Sequence, residues 1–448
     1  MSAERPGVIW CELAWLGGER AEPGVLIELE DERVASVSAG VANPPAQARS
    51  LSGLTIPGLA NAHSHAFQRA LRGRTQVGRG DFWTWRRSMY EVAEAIDPEL
   101  YHALARATFG EMALAGITAV GEFHYLHHRP GGAPYEDPNR LGKVVIDAAR
   151  EAGIRITLLD TCYLHGGFGQ QAEGPQLRFS DGTAEAWAER VDALDPGDGA
   201  RLGAAIHSVR AVDPEAAARV AAFAAERAWP LHAHLSEQPA ENEDCVSAYG
   251  KRPTLVLAEA DALSASFTAV HATHLDDADI ELLAGGDCAV CLCPTTERDL
   301  ADGVGPAHSL AEAGVRLCLG TDSHALIDAF EEARAVELDE RLETGMRGGH
   351  SAAGLLRAAT AGGCAAIGWP EAGRIEPGAL ADLVTVGLDG VRLAGTSAGH
   401  AIESLVFAAS ADDVRDVIVG GRPVVRDGAH LGLNVTAELR EAISGLPE

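Results

Sequence analysis

Eight short apolar runs, each followed by an Ala-, Glu- or Arg-rich stretch of helical character, constrain this chain more than any other feature of its sequence. The runs are LTIPGLANAH (54–63), ITAVGEF (117–123), IRITLLDTC (154–162), RLGAAIHS (201–208), PLHAHLS (230–236), FTAVHA (267–272), DCAVCLC (287–293) and VRLCLGT (315–321). Apolar runs alternating with helices argue for a parallel sheet covered on both faces, and eight strands close such a sheet into a (β/α)8 barrel. An open doubly wound sheet is the competing architecture. No G-x-G-x-x-G follows any of the runs, so dinucleotide binding loses its main support.

The ends of the chain have a different texture. Residues 1–55 and 376–448 carry short strand-like segments with tight turns, among them GVLIELED, ADLVTVGL and VRDVIVGGRPVVRDG, where Gly420-Gly421 suits a hairpin. The expected fold is therefore α/β: a (β/α)8 TIM-type barrel over 56–375 beside a small β-sandwich domain built from the N- and C-terminal segments. Loop 72–97 and the Gly/Pro-rich stretch 129–138 are long enough to cover an active site.

Composition narrows the function. A hydrophobic content of 46% excludes disorder, and no apolar stretch approaches the ~18 residues of a membrane span. The start, MSAERPGVIWCELAW, turns apolar within ten residues but lacks the charged n-region and small-residue cleavage site of an export signal. The eight cysteines have no second pair at zinc-finger spacing and read as buried hydrophobes in a reducing cytoplasm. A formal net charge of −29 argues against nucleic acid and against an anionic membrane surface. It leaves room for an anionic substrate, because charges beyond about 8 Å are screened and a few local arginines can dominate.

Polar residues gather at the C-terminal ends of the runs, where a barrel places its active site. The first run ends in His63-Ser64-His65, whose imidazoles share a side because strand residues i and i+2 do. The fifth ends in His232-Ala233-His234 and continues to Glu237, the sixth in His271-Ala272-Thr273-His274, the eighth in Thr321-Asp322-Ser323-His324. Two or three histidines plus a carboxylate, with a position left for water, is a catalytic zinc- or iron-type set, here His63, His65, His234 and Asp322. His232, two residues before His234 on the same face, reads as packing or support behind the ligands. His102, His308, His350, His400 and His430 read as ordinary core or surface residues.

The strings PGLANAHSHAFQRALRG, HAHLSEQ, HATH and GTDSH together resemble the amidohydrolase superfamily in its one-metal deaminase branch. DFWTWRRSMY (81–90), AVGEFHYLHH (119–128) and CPTTERDLADGVGPA (293–307) are similar, within that branch, to the formimidoylglutamate deiminase family. The chain has only two lysines, Lys143 and Lys251, and neither ends a run, so the bridging lysine of two-metal relatives has no counterpart. The resemblance implies one divalent ion per subunit, zinc with iron as the alternative, and hydrolytic release of ammonia from a small anionic amino-acid derivative. Asp322 then takes the proton of the attacking water, Glu237 passes it to the departing nitrogen, and His271 stabilises the tetrahedral intermediate. Gln68, Arg86, Tyr125 and Arg210 match the family's substrate contacts, the arginines suiting a carboxylate. The resemblance further implies a homodimer in which Arg86 reaches the neighbouring site. Rival readings are a deaminase of a purine, pyrimidine or triazine ring, a ring-opening imidazolonepropionase, and a metal-free binding or scaffold barrel.

Overall fold

A computed structural model describes residues 6–77 and 82–446, without the side chains of residues 82 and 83. In chain order the strands are β1 (Val8–Trp15), β2 (Ala21–Glu30), β3 (Arg33–Ser38), β4 (Arg49–Pro57), β5 (Leu59–Ser64), β6 (Ile117–His124), β7 (Arg155–Cys162), β8 (His165–Gly167) and β9 (Gln170–Gln171). They continue as β10 (Ala200–Ile206), β11 (Leu231–Leu235), β12 (Phe267–His271), β13 (Ala289–Leu292), β14 (Arg316–Leu319), β15 (Leu383–Val386), β16 (Val414–Val419), β17 (Arg422–Arg426) and β18 (Ala429–His430).

Eight of these form one parallel sheet in the order β5-β6-β7-β10-β11-β12-β13-β14. Every residue of β5, β6, β7 and β11 is buried, as the unbroken apolar runs require of strands covered on both faces. The sheet closes by a parallel bridge between Ser64, at the end of β5, and Asp322, just past β14. Asn61 ties the same seam, accepting from the Thr321 amide at 2.9 Å and donating to Thr321 Oγ1 at 2.7 Å. The seam needs Gly320, since a Cβ there would lie 2.8 Å from His63 Cβ. Closure therefore brings the first and last barrel strands together beneath their histidines and Asp322.

Helices run back along the outside, started by side chains that satisfy the first free N–H groups. Asp97 caps Pro98–Leu114 and Asp213 caps Pro214–Glu226, each with proline at the first helical position. None of the described helices is long and apolar enough to cross a membrane. All eight cysteines are free and buried.

The terminal strands form a second, mixed sheet in the order β3-β2-β1-β4-β15-β16-β17-β18. Its own core holds Ile9, Val25, Ile27, Val34, Leu51, Leu383 and Ile418. Gly420 and Gly421 both have positive φ and turn β16 into β17, which is the conformation a two-residue hairpin demands. Arg155 of β7 donates to both oxygens of Asp382, at 2.8 and 3.1 Å, and so pins the barrel wall to this sheet.

One expectation is corrected here. The segment 72–97 is not a simple loop, because Phe82–Ala95 is helical and its inner side packs on the barrel mouth. Residues 78–81 of that segment lie outside the described residues.

Candidate active site

The strand ends leave the sheet abruptly. Ser236, His271, Ala272, Asp322 and His324 all adopt positive φ between 42° and 66°, a region costing a non-glycine residue about 1–3 kcal/mol each. These bends carry the backbone sideways at the barrel mouth and turn consecutive polar side chains into one cavity of about 570 Å³.

At its floor, His63 Nε2 lies 3.1 Å and His65 Nε2 3.3 Å from Asp322 Oδ1, and His234 Nε2 lies 3.1 Å from His63 Nε2. Backbone carbonyls fix two tautomers: His65 Nδ1–H donates to Phe123 O at 2.9 Å and His234 Nδ1–H to His207 O at 2.8 Å. Their Nε2 atoms are then bare acceptors facing a carboxylate and one another, an arrangement that a cation would satisfy and that nothing else in the donor set does. Burial holds His63 down to about 3 and His234 well below the usual imidazole range, which keeps them neutral as ligands must be. Burial opposes the charge on Asp322, but the His63 and His65 rings against its Oδ1 hold it far below the carboxylate range.

His271 stands on the far side of this group. Ligand atoms of His63, His234, His271 and Asp322 all lie within 4.8 Å of one another. The Nδ1 of His271 meets Glu297 Oε1 at 3.4 Å, and Glu297 is itself fixed by the Cys293 amide at 2.8 Å. That leaves Nε2 facing Glu237 Oε1 at 3.9 Å and Asp322 Oδ2 at 4.0 Å. Burial works against a charged ring here, yet Glu237, Glu297 and Asp322 outweigh it and raise His271 to about 10.

The walls carry the other expected residues. Gln68 donates to the Tyr125 hydroxyl at 2.9 Å, and both line the cavity. Arg210 reaches Glu237 Oε2 at 3.4 Å and Glu241 Oε2 at 3.8 Å. Arg86 lines the cavity of its own chain, where the sequence reading had it serve a neighbouring subunit; its Nε donates to the Tyr90 hydroxyl at 2.6 Å. His232 stays out of the cluster and bonds Ala366 O at 2.9 Å from inside the barrel.

Sequence reasoning passed over four groups. His207 lines the cavity among Tyr125, Tyr163 and His234, and its place at the end of the fourth run was the available signal. Glu297 carried no signal of its own, being one of many acidic residues opening a helix. Glu122 accepts from Ser64 Oγ at 2.5 Å and from the Ala66 amide at 2.7 Å, holding the turn between the two first-strand histidines; burial raises its carboxyl to about 7. Tyr90 sits four residues beyond Arg86 on the same helix.

A closed eight-stranded barrel whose mouth gathers histidines, an aspartate and a glutamate is a hydrolase architecture, and the chain belongs to the amidohydrolase family, whose model matches residues 54–424. It is a homologue of the formimidoylglutamate deiminase of Pseudomonas aeruginosa, 40% identical over 402 residues that cover 86% of this chain and 87% of that one. It is also similar to the 5-methylthioadenosine/S-adenosylhomocysteine deaminase of Natronomonas pharaonis, 32% identical over 87% of this chain and 85% of the other. Among solved structures, an amidohydrolase from Brucella melitensis superposes with a TM-score of 0.90 at 33% identity, covering 98% of this chain and 99% of that one. An adenosine deaminase from Xanthomonas campestris with bound zinc superposes with a TM-score of 0.82 at 25% identity, covering 98% and 97%.

Proposed function

We propose that the protein hydrolyses N-formimino-L-glutamate to N-formyl-L-glutamate and ammonia. The observation that carries this reading is one cavity with a buried histidine–aspartate floor and two arginines, Arg86 and Arg210, on its walls. The similarity to a formimidoylglutamate deiminase supports the same substrate.

His63, His65, His234 and Asp322 would hold one divalent ion, zinc with iron as the alternative. Such an ion, when bound, lowers the pKa of water toward ~7 and so supplies a nucleophile that an amidine carbon would otherwise lack at neutral pH. The chain's own groups do the rest. Asp322 takes a proton from water as its oxygen adds to the formimino carbon. His271, oriented by Glu297, donates to that oxygen as the carbon becomes tetrahedral. Glu237, within 3.9 Å of His271, carries the proton taken by Asp322, and then the second proton of the water as the carbonyl forms, to the terminal nitrogen, which leaves as ammonia because an amide anion is far too basic. The water oxygen becomes the formyl oxygen, and the bond to the glutamate nitrogen stays intact. Arg210 and Arg86, with Gln68, Tyr125 and His207, bind the two carboxylates and the amino-acid body.

One observation favours a second reading, deamination of a heterocyclic ring: Trp85, Tyr90, Tyr125, Tyr163, Phe168 and Phe179 give the cavity aromatic walls. Two arginines weigh against it, since a neutral ring has no use for them. An ammonia-coupled assay of N-formimino-L-glutamate against cytosine and guanine separates the two. Release from the formimino compound alone, with heavy oxygen from labelled water found in the formyl group, is the expected result. Free glutamate and formamide as products, or turnover of a ring only, would overturn the reading.

A further inference from the structure

The outer wall of the cavity joins three elements distant in sequence: the helix Phe82–Ala95, the β8–β9 hairpin and the 3-10 turn Gly174–Arg178. The Tyr90 hydroxyl links the helix to the turn, and Gln176 links the turn to the hairpin. The Tyr90 hydroxyl accepts from Arg86 Nε at 2.6 Å and from Gln176 Nε2 at 3.0 Å. Tyr163 is hydrogen-bonded to the same hydroxyl. The Arg86 guanidinium lies over the Tyr90 ring as well, 5.1 Å from its centre.

Gln176 is fixed in turn. Its Oε1 accepts from the Glu173 amide at 3.0 Å, and its Nε2 also points to Gly166 O at 3.4 Å. A Cβ on Gly166 would fall 2.7 Å from Gln176 Oε1, so the glycine of the hairpin is what lets this amide pass. The turn that carries Gln176 grips the far end of the Arg86 helix. Buried Arg178 donates to Ala93 O, to Ile96 O at 2.9 Å and to His128 O at 2.9 Å.

We infer that Tyr90 and Gln176 are positioning residues that aim the Arg86 guanidinium at the substrate. An arginine side chain gives up much rotamer freedom when it is ordered. A guanidinium already held at Nε and stacked on a ring has lost much of that freedom before the carboxylate arrives. The consequence falls on substrate binding and leaves the chemistry at the cavity floor alone. This rests on the reading of Arg86 as a carboxylate-binding group.

The test is a double-mutant cycle on the whole enzyme, scored as KM and kcat separately. Tyr90→Phe removes the acceptor and keeps the ring; KM should rise about 10-fold with kcat within about two-fold of wild type. Arg86→Ala should raise KM by about 100-fold. The double variant should be no worse than Arg86→Ala alone, because Tyr90 has nothing left to aim. Gln176→Met, of similar size, should raise KM about three-fold in the wild type and not at all beside Arg86→Ala. It carries the test if Tyr90→Phe fails to melt as a folded protein. Additive losses in the double variants, or a fall in kcat with KM unchanged, would overturn the proposal. So would an unchanged KM in both Tyr90→Phe and Gln176→Met while Arg86→Ala raises it. An Arg86→Ala enzyme with wild-type KM would instead overturn the binding role of Arg86 itself, and the proposal with it.

Discussion

Among the described residues, two buried histidine–aspartate clusters stand one strand layer apart in this barrel, and they differ in how their charge is met. On the cavity side are His63, His234, His271 and Asp322; on the helix side of the wall are His124, His127 and Asp160, whose ligand atoms also lie within 4.8 Å of one another. The difference lies in what already neutralises the carboxylate. Arg190 donates to both oxygens of Asp160, at 2.8 and 2.9 Å, and Trp187 Nε1 adds a third bond at 3.0 Å. Arg190 also pairs with Asp181 at 2.9 Å, and His127 gives its Nε2–H to Thr161 O at 3.0 Å. Both oxygens of the Asp160 carboxylate have donors, and the one unmet acceptor is the neutral His127 Nδ1. On the cavity side, acceptor faces acceptor. Proximity of ligand types is therefore not enough to define a metal site; an unmet demand for positive charge is the better criterion.

The largest expected effect crosses the two clusters. Asp322→Asn should lose the bound ion and the activity together, measured by elemental analysis and ammonia release. Asp160→Asn should keep the ion and lose stability instead, by about 3 kcal/mol in urea unfolding, because a buried arginine is left half-paired. An Asp160→Asn protein that loses its metal would erase the distinction.

A sharper cut concerns Glu237, which touches the cavity cluster without closing it. Glu237→Gln keeps the shape and the contact with Arg210 but cannot relay a proton. The kcat should fall about 10²–10⁴-fold with metal content unchanged. Loss of the ion in this variant would make Glu237 part of the cation's own support.

How legible this was in the sequence differs between the same two places. His63, His65, His234 and Asp322 were readable because they sit where strands end, and alternation along a strand places i and i+2 together. Glu297 and Glu122 were not, since their roles depend on helix and strand packing across the barrel. The string AVGEFHYLHH shows the limit best. Tyr125 enters the cavity, whereas His124, His127 and His128 go to the helix side, where His128 pairs with Asp181 at 3.0 Å. Nothing in the spacing tells the inward residue from its outward neighbours once the strand has ended. Arg86 is hard to place for a related reason: nothing in the sequence says on which barrel the helix after the first strand packs, and in this chain it lines the cavity of its own.

The helix-side cluster should also show itself in acid. Burial, together with the positive neighbours, lowers His124 to about 3 and His127 to about 4, against an ordinary value of 6.5. Between those values the unfolded chain binds protons that the native one does not. Stability is thus full above pH 6.5 and falls as the pH drops toward 4, at up to about 1.4 kcal/mol per pH unit for each ring. Cavity groups titrate in the same range, so the useful quantity is a difference curve. His127→Gln, which keeps a donor for Thr161 O, should lose stability less steeply than wild type between pH 6.5 and 4. Parallel curves would mean that His127 does not stay neutral in the native state.

The smallest expected effect is the absence of a recovery, and it concerns the arginines. Arg190 is locked between two carboxylates inside one chain, whereas Arg86 reaches the cavity on a helix that follows the segment 72–81. The family resemblance puts Arg86 in the neighbouring subunit's site; the geometry of this chain, with Arg86 tied through Tyr90 and Gln176 to its own β8–β9 hairpin, puts it in its own. At substrate levels below the wild-type KM, Arg86→Ala and Asp322→Asn are each nearly inactive, and they can be mixed equally and allowed to exchange subunits. Were Arg86 shared, half of the dimers would be hybrids and one site in each would be complete, restoring about one quarter of wild-type activity. With Arg86 serving its own chain, every hybrid site lacks either the arginine or the aspartate, and mixing restores nothing. Native mass spectrometry must first show the hybrid dimers, since without exchange both arrangements give silence. Hybrids present and activity absent is the result this structure predicts. Recovery to about a quarter would move the Arg86 helix onto the partner's barrel, and the cavity wall described here would then be built from two chains.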